Sequence, residues 1–471
     1  MSQTLNQLEV RIKRVENWHD ASWPLGDGHG MRFLIRQPSE DRTVQAMATW
    51  FARLLQGYDQ PVRILFCDGT TVEAEHGGQP RITLVLRTRE AFATMFRPAL
   101  ERSLGEAYIF KDVDVVGDMR DVFSLVDYLL AQEWTVWDRL RFVWHYLSSP
   151  SPPAERPPLN RKGVQHSPPR DVSVVRYHYD LPTEFYQLWL DRRMVYSCAY
   201  FTRGDEGLDE AQASKLDYLC RKLRVKSGER VLDIGCGWGG FAIYAAQYYG
   251  ASVVGITLSL RQAEVARRHI EVAGLSDRCT ILVADYRNLP DQEMFDKIVS
   301  VGMVEHVGKS QLPVYFHQAH RLLKPGGVFL NHGIASGEGD GRLGSFADRY
   351  VFPDAEVVPL HQIITAAEQQ EWEVRDVESL REHYALTLDQ WVKRLETEHR
   401  RAVELVGETT YRVWRLYLAA SAEWFRMGRL NVYQTMLTKS SNGQSGLPLT
   451  REDWYGFPVP SRTRHRSAAS S

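Results

Sequence analysis

The sequence predicts an α/β protein, an open, doubly wound and mostly parallel sheet preceded by a smaller α+β domain. Three observations carry that expectation. Apolar runs alternate with helical patterns beyond residue 171, in the order ERVLDIG, FAIYAAQYYG, SVVGIT, RQAEVARRHIEVAG, TILVAD, FDKIVSVGM, LPVYFHQAHRLL and VFLNHGIA, which is how parallel strands and crossover helices follow one another. The run VLDIGCGWGG at 231–240 takes a strand into a glycine turn that opens a helix. A chain of 471 residues is also about three times the commonest domain size, so more than one domain is expected.

The elements follow in chain order. The first twenty residues alternate charged and apolar side chains and lack the apolar core of a secretory signal, so the chain is expected to stay in the cytoplasm. VRILFCDGTTVEAE and ITLVLRT read as strands, and AFATMFRPALERSLG and VFSLVDYLLAQ as helices; these make an α+β domain within residues 1–147. Its last part, 134–146, sets Trp134, Trp137 and Trp144 among Arg139, Arg141 and His145. That pattern suits a helix packing on the second domain or, alternatively, an interfacial membrane contact. Seven prolines without apolar periodicity mark 148–171 as an exposed linker. The second domain is expected over 172–439. In it, two long helical patterns at 387–405 and 408–427 precede a last strand at 431–437. The remainder, 440–471, is rich in Ser, Gly, Pro and Arg and is expected to be disordered.

Composition narrows the function. With 57 Lys+Arg against 59 Asp+Glu the net charge is −2, which disfavours a dedicated nucleic-acid binder. The five cysteines are widely spaced, with no C-x-x-C pair, so neither a disulfide framework nor a metal site is indicated. Residues 234–260 are 27 without a charge, long enough to span a bilayer. Six glycines interrupt them, however, which suits strand, turn, helix, turn and strand instead.

The chemistry starts at the glycine turn. Gly235, Gly237 and Gly240 satisfy G-x-G-x-x-G, a weak sign of a dinucleotide. Two features oppose that reading: the ribose-binding acid expected about 20 residues on is Thr257, and Asp233 would repel a pyrophosphate. An acid beside a glycine loop suits S-adenosylmethionine, which carries an ammonium and a sulfonium and no phosphate. With Asp285 and Glu305 at later strand ends, the pattern resembles the Rossmann-like S-adenosylmethionine-dependent methyltransferases. That resemblance puts Asp285 near the adenine amino group and Thr257, Ser259 and Gln262 near the ribose.

A closer resemblance covers more than half the chain. HYD at 178–180, MVYSCAYF at 194–201, LDIGCGWGG, VVGITLS, VGMVEHVG ending at Gly308 and NHGIA at 331–335 are similar to motifs of the cyclopropane fatty acid synthases and mycolic acid methyltransferases. The resemblance implies further cofactor contacts at Tyr196, Ser197, Asp233, Gly235, Gly237, Trp238, Gly239 and Tyr286. It also implies bicarbonate as a catalytic base, held by Cys198, Glu305, His332, Ile334 and Tyr384. The implied reaction adds a methylene across the cis double bond of an unsaturated phospholipid acyl chain. Methyl transfer to an alkene leaves a carbocation, a base removes a proton to close the ring, and water must be kept out. Such a substrate implies transient peripheral contact with the inner face of the membrane, through 134–146 and the basic residues Arg156, Arg161, Lys162 and Arg170. The smaller domain is left as a lipid-binding or dimerising module. Alternatives are a lipid C-methyltransferase giving a methyl or methylene branch, an amine methyltransferase, and a non-catalytic lipid-binding protein. Two departures from the family pattern stand out: Leu181-Pro182-Thr183-Glu184-Phe185 follows HYD, and Ser421 stands where many relatives carry cysteine.

Overall fold

The computed structural model describes residues 31–75, 78–97, 100–131, 165–290, 292, 294–337 and 344–455. The 134–146 segment and Arg156, Arg161 and Lys162 lie outside the described residues.

The N-terminal part forms a five-stranded sheet from β1 (Phe33–Arg36), β2 (Val62–Leu65), β3 (Thr71–Ala74), β4 (Ile82–Leu86) and β5 (Val113–Gly117), in the order β1-β3-β2-β4-β5. Only β2 and β4 pair in parallel. Burial alternates along β4, as expected of a strand covered on one face. The helix Arg42–Leu54 is capped by Asp41, whose carboxylate accepts from the amides of Thr43 and Val44. The helical run expected over AFATMFRPALERSLG is two helices, Ala91–Met95 and Leu100–Ile109. A proline between them, Pro98, offers a reason, since it cannot continue a helix from the preceding turn.

The second part is a seven-stranded sheet of β6 (Arg230–Ile234), β7 (Ser252–Thr257), β8 (Cys279–Val283), β9 (Phe295–Val301), β10 (Leu323–Ser336), β11 (Glu373–Ser379) and β12 (Leu430–Thr438). Its order is β11-β12-β10-β9-β6-β7-β8, and β12 runs antiparallel to both its neighbours. Alternate residues of the central strands β6, β7, β9 and β10 enter different cores. Val231, Val253, Val299 and Leu330 face the helices Leu208–Leu223, Gly240–Tyr249 and Leu260–Val272. Leu232, Ile256, Ile298 and Phe329 face Leu312–Leu322 and Leu360–Glu368. The sheet is therefore doubly wound, and burial on both faces explains its near-continuous apolar strands. From β6 the chain goes to β7 on one side and, later, to β9 on the other. That reversal leaves a crevice at the carboxyl ends of β6 and β9.

Three expectations are corrected. The linker ends before residue 168: Pro168 and Pro169 occupy the first turn of a helix, Pro168–Tyr179, where a missing N–H costs nothing. Arg170, counted among the basic residues for a membrane surface, is committed to Asp354 through bonds of 2.6 and 2.7 Å. The segment 440–455, placed in the disordered tail, is ordered, because Trp454 is 1% exposed and packs in the core beside Leu216, Leu219 and Met436. The two long C-terminal helices run Arg381–Thr397 and His399–Arg426; Gly407, at φ 77° and ψ 159°, breaks the second between the two helical patterns seen in the sequence.

Candidate active site

The crevice opens into a pocket walled by β6, β7, β9 and the loop 194–201. At Gly235 the backbone has φ +81°, which strains any residue but glycine, and a Cβ there would crowd the Met303 side chain at 3.1 Å. The pocket is lined by Tyr196, Ser197, Asp233, Gly235, Gly237, Trp238, Thr257, Gln262, Asp285 and Tyr286, among other residues. Gly239 and Ser259 do not line it. Gly239 lets the helix Leu260–Val272 approach, its Cβ position lying 3.2 Å from Ala266. Ser259 caps that helix, accepting from the Gln262 amide at 3.2 Å, and its hydroxyl donates to Asp180 at 3.0 Å.

Other walls were not legible as site residues. Asp171, Val175 and Tyr179 line the pocket from one face of Pro168–Tyr179, at four-residue spacing. Arg287 grips Asp285 with bonds of 2.9 and 2.6 Å and reaches Asp171 at 2.8 Å, tying that helix to the acid at the end of β8. Asp285 keeps lone pairs for a further donor despite this fork. The loop 194–201 is itself held from two helices. Gln212 donates to the Ser197 carbonyl at 2.8 Å, while Thr387 accepts from the Ala199 amide at 3.0 Å and His383 from the Phe201 amide at 3.1 Å.

Asp171, Lys215, Asp233, Asp285 and Arg287 are the charged side chains of the lining. Asp233 is 3% exposed, and its Oδ2 is buried without a hydrogen-bond partner. Burial pushes its pKa up to about 7, against the pull of Lys215. A cationic nucleoside without phosphate fits this acid and the open glycine turn, and Asp233, Thr257, Gln262 and Asp285 are the residues that would hold it. Lys215, which also lines the pocket, is buried and donates to Ser197 Oγ at 2.9 Å. A sequence signal existed for it. Gln212 and Lys215 lie on the same stripe of Leu208–Leu223 as Leu208, Ala211, Leu216 and Leu219, where polar residues are out of place.

Beyond Tyr196 lies a second neighbourhood. Glu305 accepts from the Ile334 amide at 2.7 Å through Oε1, and its Oε2 is buried without a partner. Burial pushes this carboxyl up to about 7. His332 shares the strand face of Ile334; Gln434 donates to its Nδ1 at 3.2 Å, leaving Nε2 as a buried, protonated donor without an acceptor. Burial holds its ring neutral. Tyr384 interacts electrostatically with both Cys198 and Glu305. The Cys198 thiol donates towards the carbonyls of Ala199 at 3.2 Å and Leu380 at 3.7 Å, and burial raises its pKa, so it is no thiolate. An anion between Glu305 and His332 would find one acceptor and one donor; the Ile334 amide is already given to Glu305. The surroundings are aromatic, with Tyr196 5.2 Å from Trp391 and 6.1 Å from Trp414 between ring centres. Ser421 shares a hydrogen bond with Tyr417, whose hydroxyl is pushed up to about 12, so Tyr417 is no base for this serine.

A family model described as mycolic acid cyclopropane synthetase matches residues 166–435, more than half of the chain. The chain belongs to that family. It is 40% identical over 407 residues to a probable fatty acid methyltransferase of Pseudomonas putida, covering 85% of this chain and 98% of the relative. Identity to the cyclopropane-fatty-acyl-phospholipid synthase of Escherichia coli K12 is 39% over 278 residues, 59% of this chain and 70% of the relative. Among solved structures, mycolic acid cyclopropane synthase CmaA1 complexed with SAH and CTAB superposes with a TM-score of 0.54 at 34% identity, over 56% of this chain and 97% of that one. Family membership, the doubly wound fold and the buried acid beside the glycine turn agree: the chain is an S-adenosylmethionine-dependent methyltransferase.

Proposed function

We propose that this cyclopropane synthetase family member converts the cis double bond of an unsaturated phospholipid acyl chain into a cyclopropane. The observation that carries the reading is the pair of unsatisfied, buried groups Glu305 Oε2 and His332 Nε2, beside an aromatic-walled cofactor pocket. Bound S-adenosylmethionine supplies a methyl on cationic sulfur. Asp233 and the glycine turn orient that cofactor, while Tyr179, Tyr196 and Trp391 exclude water from the carbocation left on the acyl chain. Glu305 and His332, with Tyr384 beside them, are the residues that would hold bicarbonate, which would supply the base for ring closure; the Ile334 amide serves Glu305, and the Cys198 thiol faces backbone carbonyls. Rigorous depletion of bicarbonate from the purified enzyme should abolish turnover and leave cofactor binding intact; full activity would remove bicarbonate from the account.

The substrate lies in a bilayer, and among the described residues no helix is long and apolar enough to cross a membrane. Peripheral docking on the inner face of the membrane is therefore part of the proposal. With Arg170 committed to Asp354, the basic contribution falls to Arg156, Arg161, Lys162 and the 134–146 segment. Sedimentation with anionic vesicles should fall as salt rises, and weaken when Trp137 and Arg141 are replaced together.

A second reading has an observation in its favour: the relative covered over 98% of its length is described as a probable fatty acid methyltransferase. Product analysis with a trideuteriomethyl cofactor separates them. A cyclopropane keeps two of the three deuterons, since one leaves with the proton-accepting base, whereas a methyl branch keeps all three.

A further inference from the structure

Lys215 has no evident place in the chemistry above, yet it lies in the cofactor pocket at 1% exposure. Its ammonium donates to one neutral group, Ser197 Oγ, at 2.9 Å. Asp191 and Asp233 act on it electrostatically, but neither forms an ion pair with it among the described residues. The Asp191 carboxylate accepts from the amides of Arg193 and Val195, at 2.9 and 2.8 Å. Asp233 keeps Oδ2 unpartnered. The other cation lining the pocket, Arg287, is paired with Asp285 and Asp171. A buried ammonium with a single hydroxyl acceptor is electrostatically incomplete, and an anion from the ligand would complete it.

The hydroxyl of Ser197 settles the direction. Because it accepts from Lys215, its own proton is free to be given outward, and Gln212 fixes the Ser197 backbone. Lys215 and Ser197 therefore present a cation-backed donor, while Asp233 nearby presents an acceptor with negative charge. The methionine end of the cofactor is a zwitterion, one carboxylate and one ammonium on the same carbon. We propose that Lys215, acting through Ser197, is the positioning residue for the cofactor's carboxylate, and that Lys215 and Asp233 together read the zwitterionic head. The inference rests on the S-adenosylmethionine reading of the pocket and assigns its amino-acid end to a charge pair.

The test uses two ligands and calorimetry on the full-length protein. S-adenosylhomocysteine carries the zwitterionic head; 5′-methylthioadenosine is the same nucleoside thioether without it. Lys215→Met should weaken the first by about tenfold or more and leave the second within about twofold. Ser197→Ala should show the same selective loss, and the double variant should lose little more than Lys215→Met alone, since the two groups act in series. Equal weakening of both ligands in the folded variants would make Lys215 merely structural, and unchanged affinity for S-adenosylhomocysteine would remove it from recognition; either overturns the proposal. If Lys215→Met does not fold, the Ser197→Ala selectivity decides by itself. Wild-type protein that binds neither ligand would instead overturn the cofactor reading beneath it.

Discussion

Asp233 and Glu305 are carboxyls that burial holds near pKa 7, the first in the cofactor pocket and the second in the proposed proton-removing neighbourhood. For Asp233 the consequence is pH-dependent cofactor binding. Its charge attracts a cationic ligand only when ionised, so affinity for S-adenosylmethionine should fall as pH drops through about 7. Asp233→Asn should weaken binding by about tenfold and flatten that dependence, measured by calorimetry between about pH 6 and pH 8. Glu305 gives a stability signature as well. Its folded pKa of about 7 lies above the ordinary 4.5, so the folded state holds the proton more tightly. The stability it contributes is present below about 4.5, is lost as pH rises through about 7, and stays lost above. Glu305→Gln keeps the acceptor for the Ile334 amide and cannot ionise. Its melting temperature should therefore exceed wild type by a margin that grows across that window, while turnover collapses and cofactor affinity stays within a few fold. A constant margin from acid to alkaline pH would mean that Glu305 is not strained by burial.

At the scale of elements, the helix Pro168–Tyr179 is held over the pocket by contacts at both ends. Arg170 pairs with Asp354 near its start, and His178 donates to the Val351 carbonyl at 2.9 Å and stacks on Phe352 near its end. Arg170→Met leaves Asp354 without its fork, at a cost of about 1–3 kcal/mol because the pair is mostly shielded from solvent. The cofactor KM should rise with little change in kcat, and limited proteolysis should cut sooner near residue 165; protection equal to wild type would mean that the helix is held elsewhere. Gly407 makes a separate point. Its φ and ψ belong to a region that essentially only glycine occupies, so Gly407→Ala should destabilise by about 1–3 kcal/mol in urea denaturation, without touching the pocket.

For the whole molecule, the N-terminal sheet and the C-terminal helices share one core, in which Phe51, Phe92 and Tyr108 belong with Trp189, Trp391 and Trp414. Arg412 joins the parts. It donates to the Tyr108 carbonyl at 2.9 Å, to Asp114 at 3.0 Å and to Glu408 at 2.7 Å. Gly105 supports the same junction, since a Cβ there would stand 2.3 Å from the Phe346 ring. Arg412→Met leaves Asp114 with Arg87 alone and Glu408 unpaired at this end, and should cost about 1–3 kcal/mol at the junction. Calorimetry should then show two transitions where wild type shows one. A single transition in the variant would mean that the shared apolar core suffices to couple the two parts.

What the sequence determined by itself is whatever neighbouring residues encode. Continuous apolar runs marked the buried strands, glycines marked the turn at Gly235, and acids at strand ends marked Asp233, Asp285 and Glu305, because periodicity and backbone freedom are local properties. Proline content misled at Pro168–Pro169, where composition alone cannot tell a linker from a helix's first turn. The tertiary structure decided what depends on distant partners. It inserted β12 antiparallel between β10 and β11, used Ser259 as a helix cap, committed Arg170 to Asp354, and buried Lys215 against Ser197. Arg412 and Tyr108 meet across 304 residues of chain. No local pattern carries such a meeting, because the free energy that selects it comes from burying surfaces against each other only after the elements have formed.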